Sequence, residues 1–321
     1  MKKTKVWLIA ATSLILIGCI LFAGVMTALK WDFGKLSTYE YETNTYEFYD
    51  DYDSISINVS VADIEFKVSE NEDITTVVCY EQTKGNHKVE VSEEKLIITH
   101  ENSKKWYENI GIDFDTPKIT LYIPQNKRCE LVIKGSTGDI KIPKNLEFWT
   151  INIESSTGNV ENYASARNVD VKLSTGNITV KHTTTGFLNL YVTTGNITVS
   201  DTGDISGVTF RCSTGKTKVE NVNCETFFSY GSTGGLYIKN VIASERVFIE
   251  RSTGDVKFDG CDAKKIHVST HTGDVTGSLL TPKVFTTKTD TGTIDVPNST
   301  TGDKCEISTT TGDINISVSG N

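Results

Sequence analysis

Proline occurs only five times in this chain and methionine only twice, one of them the first residue. That scarcity, beside abundant Thr, Ser, Asn, Gly, Val and Ile, favours strands and turns over helices. Every proline falls at an expected strand end or corner, as ladder bonding requires. Basic charge is also short. Residues 1–30 carry four Lys and no acid, so the remaining 28 basic and 41 acidic residues leave the body at −13. No basic face is available to neutralise phosphates, which excludes nucleic acid as a partner. Anionic lipid would repel the same body. The seven cysteines contain no CxxC and no tight spacing, which argues against a disulfide framework or a zinc ribbon. There is no HExxH either.

One long apolar run is present. After Met1-Lys2-Lys3-Thr4-Lys5 the chain is uncharged from Val6 to Leu29, more than the ~20 residues needed to span a bilayer as a helix. Trp31 follows at the expected interface, and the Lys cluster should stay in the cytoplasm with the body outside. The expected localisation is therefore a single-pass cell-membrane protein with an extracellular body. Two other readings stand beside this one: a cleaved secretory signal, and a lipoprotein signal ending before Cys19 in Leu16-Ile17-Gly18-Cys19. All three export the body.

The rest of the chain is organised by a repeat. Thr-Gly recurs with Gly138, Gly158, Gly176, Gly195, Gly215, Gly234, Gly254, Gly273, Gly292 and Gly312, at gaps of 18 to 20 residues. Most copies read Ser-Thr-Gly-Asp or a close variant. Relative to each Gly, positions −7, −5, +2 and +4 are apolar and their neighbours polar. Asn162 and Gly277 depart at +4, and Ser229 and Thr287 at −5. Period-two alternation on both sides of a fixed turn predicts two short strands per repeat, each with one face inward. One repeat cannot enclose those side chains alone, so about ten coils are expected to stack at ~4.8 Å into a parallel β-solenoid. Each Gly supplies the positive φ of a structural turn. The Asp or Asn after it is expected to bond its own backbone.

Residues 31–53 read as an acidic, Tyr-rich spacer, either solvated or adding an edge strand. Residues 54–134 read as a β-rich N-terminal cap and 135–321 as the solenoid repeats. Within the cap, Ser54–Val68 fits a divergent opening coil around Ala62, and strands are expected at about 73–82, 87–92, 95–100 and 118–123.

The opening segment Ile55–Phe66, the Lys105-Trp106-Tyr107 loop, the strand from Lys118 to Pro124 and the run of Ser-Thr-Gly-Asp/Asn coils together resemble the putative adhesin family of bacterial β-strand-repeat domains of unknown function. The resemblance spans roughly residues 50–321. It implies a surface protein and supplies no catalytic residues. No LPxTG wall-sorting motif is present.

Candidate chemistry is sparse. Asp139, Asp255, Asp274 and Asp313 follow turn glycines, but Asn, Lys, Gly and Thr fill the same position elsewhere, so turn preference accounts for them. Calcium at the Asp201, Asp204 and Asp259 corner would need a denser acidic repeat. His87, His100, His182, His267 and His271 lack metal-ligand spacing. No catalytic, cofactor or metal site is expected. Trp106 and Tyr107, in a long loop, are the candidate contact residues. The expected function is a non-enzymatic adhesin or interaction scaffold, anchored by its helix and contacting a cell-surface polymer or protein. The final coil, Cys305–Val318, is expected to be open and able to join another copy. An envelope-stress or regulatory partner protein is the second reading, and a polysaccharide-active β-helix enzyme the third.

Overall fold

The structure, a computed structural model, describes residues 2–37, 39–49, 51–101 and 115–319. Helix α1, Lys2–Ala28, contains the stretch Lys5–Ala28, which is long and apolar enough to cross a membrane. Position and composition fit a membrane anchor or a signal sequence equally.

Beyond it the chain is a β-solenoid of in-register parallel coils. The turn glycines have φ between 121° and 153°, a region closed to other L-residues. Crowding imposes a second demand. A Cβ on Gly195 would lie 1.8 Å from the carbonyl oxygen of Gly176 in the coil below, and the same collision repeats along the stack. Except in the outermost Gly292 coil, the glycine N–H donates to the Thr carbonyl of the neighbouring coil, as Gly195 does to Thr214 at 2.9 Å. Inward positions such as Val171, Leu190, Phe210, Ile249 and Val268 are fully excluded from solvent and form one continuous core.

The acid or amide after the turn glycine works differently from the expectation. Its Oδ1 accepts the backbone N–H of the equivalent residue one coil on: Asp139 from Asn159 at 2.8 Å, Asn159 from Asn177 at 3.0 Å, Asn177 from Asn196 at 3.0 Å. The side chain bridges coils and does not bond its own backbone. A second file of left-handed residues, His182, Asp201, Asn221, Asn240 and Gly260, turns the opposite corner at position +6. There Asn221 donates to Asp201 at 2.7 Å and Asn240 to Asn221 at 3.0 Å.

The cap is built on the same rungs. Strands β1 (Tyr41–Phe48), β2 (Ser54–Val61), β3 (Asp63–Val68), β4 (Thr75–Gln82), β5 (His87–Ser92), β6 (Lys95–His100), β7 (Lys118–Ile123), β8 (Glu130–Thr137) and β9 (Ile140–Ile142) follow in order. β2 and β3 form the opening coil, with Ala62 in place of the turn glycine, and stack in parallel on β8 and β9. On their other side lie β6 and β7, also parallel. Antiparallel strands then finish the end: β4 on β7, β1 on β4, and β5 on β6. The spacer therefore adds an edge strand, β1.

At the far end the order of coils differs from the order of sequence. The Gly273 coil pairs with the Gly312 coil, through Lys265–Thr272 on Lys304–Thr311 and Val275–Leu279 on Ile314–Val318. The Gly292 coil lies outside both, with Lys283–Thr291 paired to Asp303–Thr311. The last coil in sequence is thus inserted between two earlier ones. This corrects the expectation of an open Cys305–Val318 coil; the open edge belongs to Lys283–Asp295. Lys283 fastens the crossover. It is fully buried, with Nζ 2.5 Å from Asp262, 3.4 Å from Asp303 and 2.8 Å from the Ala263 carbonyl oxygen.

Candidate functional site

Strands on a solenoid face repeat their side chains every ~4.8 Å, so any outward position becomes a file along the rod. Three adjacent files, at −4, −3 and −2 from the turn glycine, enclose a trough. One stretch, of about 740 Å³, runs from Asn58, Val59 and Ser60 in the opening coil to Arg211 and Ser213. A second, of about 400 Å³, shares Arg211 and Ser213 and continues to Ser269 and His271. Together they cross nine successive coils, a length on the order of 40 Å.

One wall is the −2 file: Ser60, Ser136, Ser156, Ser174, Thr193, Ser213, Ser232 and Ser252. Most are the serines of the Ser-Thr-Gly motif, and together the file offers a hydroxyl at almost every rung. The opposite wall is the −4 file: Lys134, Glu154, Lys172, Tyr191, Arg211, Tyr230 and Glu250. Its middle stretch is aromatic and cationic. The Arg211 guanidinium lies 4.2 Å from the Tyr230 ring centre, and Lys172 Nζ 5.9 Å from that of Tyr191. Behind this wall, Phe248 stacks on His267 at 4.9 Å and lies 6.0 Å from Tyr230. Ring-on-ring packing of this kind contributes about 0.5–1.5 kcal/mol per pair and holds the wall upright.

The floor holds an unusual residue. Arg251, only 4% exposed, occupies a −3 position filled in other coils by Ser155, Leu173, Val192, Cys212 and Thr270. Its Nη2 donates to Ser229 Oγ at 2.8 Å, which explains the polar departure of Ser229 from the apolar −5 file. Nε and Nη1 have no partner. Burial pulls the guanidinium down to about 10, partly offset by the neighbouring Cys212 thiol.

The sequence-predicted sites fall unevenly on this geometry. All ten turn glycines have positive φ, and eight of them, Gly138 to Gly273, belong to coils that the trough crosses. The four aspartates after them do not converge; their carboxylates lie in the inter-coil ladder, as Asp255 does on the Asp274 N–H and Asp274 on the Asp313 N–H. Asp201 and Asp259 are likewise engaged, with Asn221 and with Tyr237. Trp106 and Tyr107 lie outside the described residues. The trough has no motif of its own; its signal in the sequence is the recurrence of Ser at −2 and of Tyr-Arg-Tyr at −4.

A family model described as Toastrack DUF4097 matches residues 52–205 and 200–321. No curated protein matches the chain. Among solved structures, a putative adhesin from Bacteroides fragilis is 14% identical, over 86% of this chain and 97% of that one, with a TM-score of 0.36. A putative adhesin from Parabacteroides distasonis is 12% identical, over 87% and 98%, with a TM-score of 0.44. A putative lipid binding protein from the same species is 16% identical, over 88% and 98%, with a TM-score of 0.35. With the family model matching most of its length, the chain belongs to the Toastrack DUF4097 family.

Proposed function

We propose that the protein is a non-catalytic surface adhesin or scaffold, held at the membrane by α1, whose trough binds an extended polymer with a short repeat. The observation that carries this reading is the continuity of the trough across nine coils, with a hydroxyl file facing a file whose middle stretch is Lys172, Tyr191, Arg211 and Tyr230. A ligand lying along the rod meets a hydroxyl at almost every rung, so weak contacts add in register. Aromatic faces with flanking hydroxyls and guanidinium groups suit the alternating apolar and polar faces of a glycan chain. The non-catalytic reading is supported by the aspartate files, whose carboxylates accept backbone N–H groups. Association of copies end to end would use the open edge of Lys283–Asp295, where Ile294 is 46% exposed.

The test is a binding screen of the detergent-solubilised full chain against envelope polysaccharides and whole cells, beside a Tyr191→Ala/Tyr230→Ala variant. Capture of a polymer that the variant loses by tenfold or more supports the proposal. Equal binding by both proteins, or none by either, refutes it.

A further inference from the structure

In the cap, at the opposite end of the rod from the Lys283 crossover, three side chains of metal-ligating type meet. Cys79 and Glu81 hold alternate inward positions on β4, and His87 opens β5. Cys79 and Glu81 are fully excluded from solvent and His87 is 4% exposed. A thiol sulfur, a carboxylate oxygen and an imidazole nitrogen lie within 4.8 Å of one another.

The surroundings are rich in acceptors and poor in cations. Glu81 Oε1 accepts from Asn44 Nδ2 at 2.8 Å, and Oε2 accepts the His87 backbone N–H at 2.6 Å and lies 2.6 Å from His87 Nδ1. Among the described residues no Lys or Arg forms an ion pair with Glu81. His87 Nε2 and Asn86 Oδ1, both buried atoms, have no hydrogen-bond partner. A fully buried carboxylate calls for a compensating positive charge, and no Lys or Arg side chain among the described residues supplies one. We propose that the Cys79, Glu81 and His87 side chains form a structural zinc site that locks the cap.

Thiolate, imidazole and carboxylate together select Zn²⁺ over Mg²⁺ or Ca²⁺, which take oxygen ligands alone. To bind the cation, Nδ1 and Oε2 must part from their 2.6 Å hydrogen-bond separation, the imidazole proton is then held on Nε2, and the thiol proton leaves to solvent as the sulfur is metallated. Asn44 on Glu81 already supplies the outer hydrogen bond that orients a ligating carboxylate. His100, the register partner of His87 across β5 and β6, has its ring centred 5.7 Å from that of His87. A metal here joins β4 to β5, two strands that do not pair with each other.

The experiment uses the full chain in detergent, stripped with EDTA and titrated with Co²⁺ and then Zn²⁺. The site predicts a thiolate-to-cobalt charge-transfer band that saturates near one equivalent and is displaced by Zn²⁺. It also predicts a thermal midpoint raised by roughly 5 °C with Zn²⁺ in excess. Cys79→Ala should abolish the band and the shift, while Cys129→Ala, a buried thiol elsewhere, should keep both. Glu81→Gln, which preserves the Asn44 contact, should weaken Co²⁺ binding at least tenfold. No band in the stripped wild type, a band that survives Cys79→Ala, or Zn²⁺ without effect on the midpoint would each overturn the assignment. The trough plays no part in these readouts, so their failure leaves the polymer-binding proposal standing.

Discussion

The guanidinium of Arg251 fills the space that a side chain at Gly231 would need: a Cβ on Gly231 would lie 2.0 Å from Arg251 Nη1. The two residues are register partners on adjacent coils, and Ser229 completes the set. Gly231→Ala should therefore destabilise the protein by about 1–3 kcal/mol through overpacking. The same change in an Arg251→Met background, where a flexible chain can yield, should cost well under half as much. Arg251→Met alone should be neutral or stabilising, because it removes a buried charge with two unpartnered donors. Urea unfolding of the four proteins gives the coupling energy directly; additive effects would contradict the contact.

Much of this architecture is legible in the sequence, because period-two burial and the glycine beat are both local signals. The opening coil around Ala62 is legible for the same reason, since Ile55, Ile57, Ile64 and Phe66 repeat the inward template. The inserted final coil is not. Strand order in space carries no local signature, although one residue hinted at it: Thr287 breaks the apolar −5 file in the coil that proves to be outermost. The Gly312 coil, with Cys305, Ile307, Ile314 and Ile316 all buried, has the composition of an interior rung. The cap cluster was hidden differently. Cys79, Glu81 and His87 have no motif spacing, and only the alternation of β4 puts the first two on one face.

Turn glycines should be irreplaceable where the coils stack. Gly195→Ala forces both a φ of 144° and a 1.8 Å approach to the Gly176 oxygen. A loss of ~4 kcal/mol or more, or failure to fold, is expected. Gly203→Ala is the matched control, since its Cβ would meet only Thr184 side-chain atoms at 3.5 Å and beyond. It should cost less than ~1 kcal/mol in thermal or urea unfolding.

The coil order at the far end predicts which engineered thiols react. Ser269 is paired with Ser308, whereas stacking in sequence order would place Lys288 beside it. In a Cys19→Ser background, S269C/S308C should be joined efficiently by a short bis-thiol crosslinker and S269C/K288C poorly. Mass spectrometry of the digested products reads the outcome, and the reverse preference would restore sequence order.

Alkaline pH should weaken the fold. Burial is the main influence on the thiols of Cys129, Cys224 and Cys305 and pushes each up to about 12, from an ordinary value near 9. Between those values the unfolded chain loses protons that the folded chain retains, so unfolding free energy falls as pH rises from about 9 to about 12. A Cys129→Ala/Cys224→Ala/Cys305→Ala variant should show a shallower decline over that window in urea titrations at fixed pH steps. An identical slope would assign the effect elsewhere.

The proposed role rests on one ligand chain lying along many rungs, and ligand length tests it most directly. Oligosaccharides of increasing length, prepared from the captured polymer, should bind the full chain with affinity that climbs with each unit. The climb should level off once the ligand spans the trough, on the order of 40 Å. Affinity that is independent of length, or a plateau unchanged by Tyr191→Ala/Tyr230→Ala, would contradict the account.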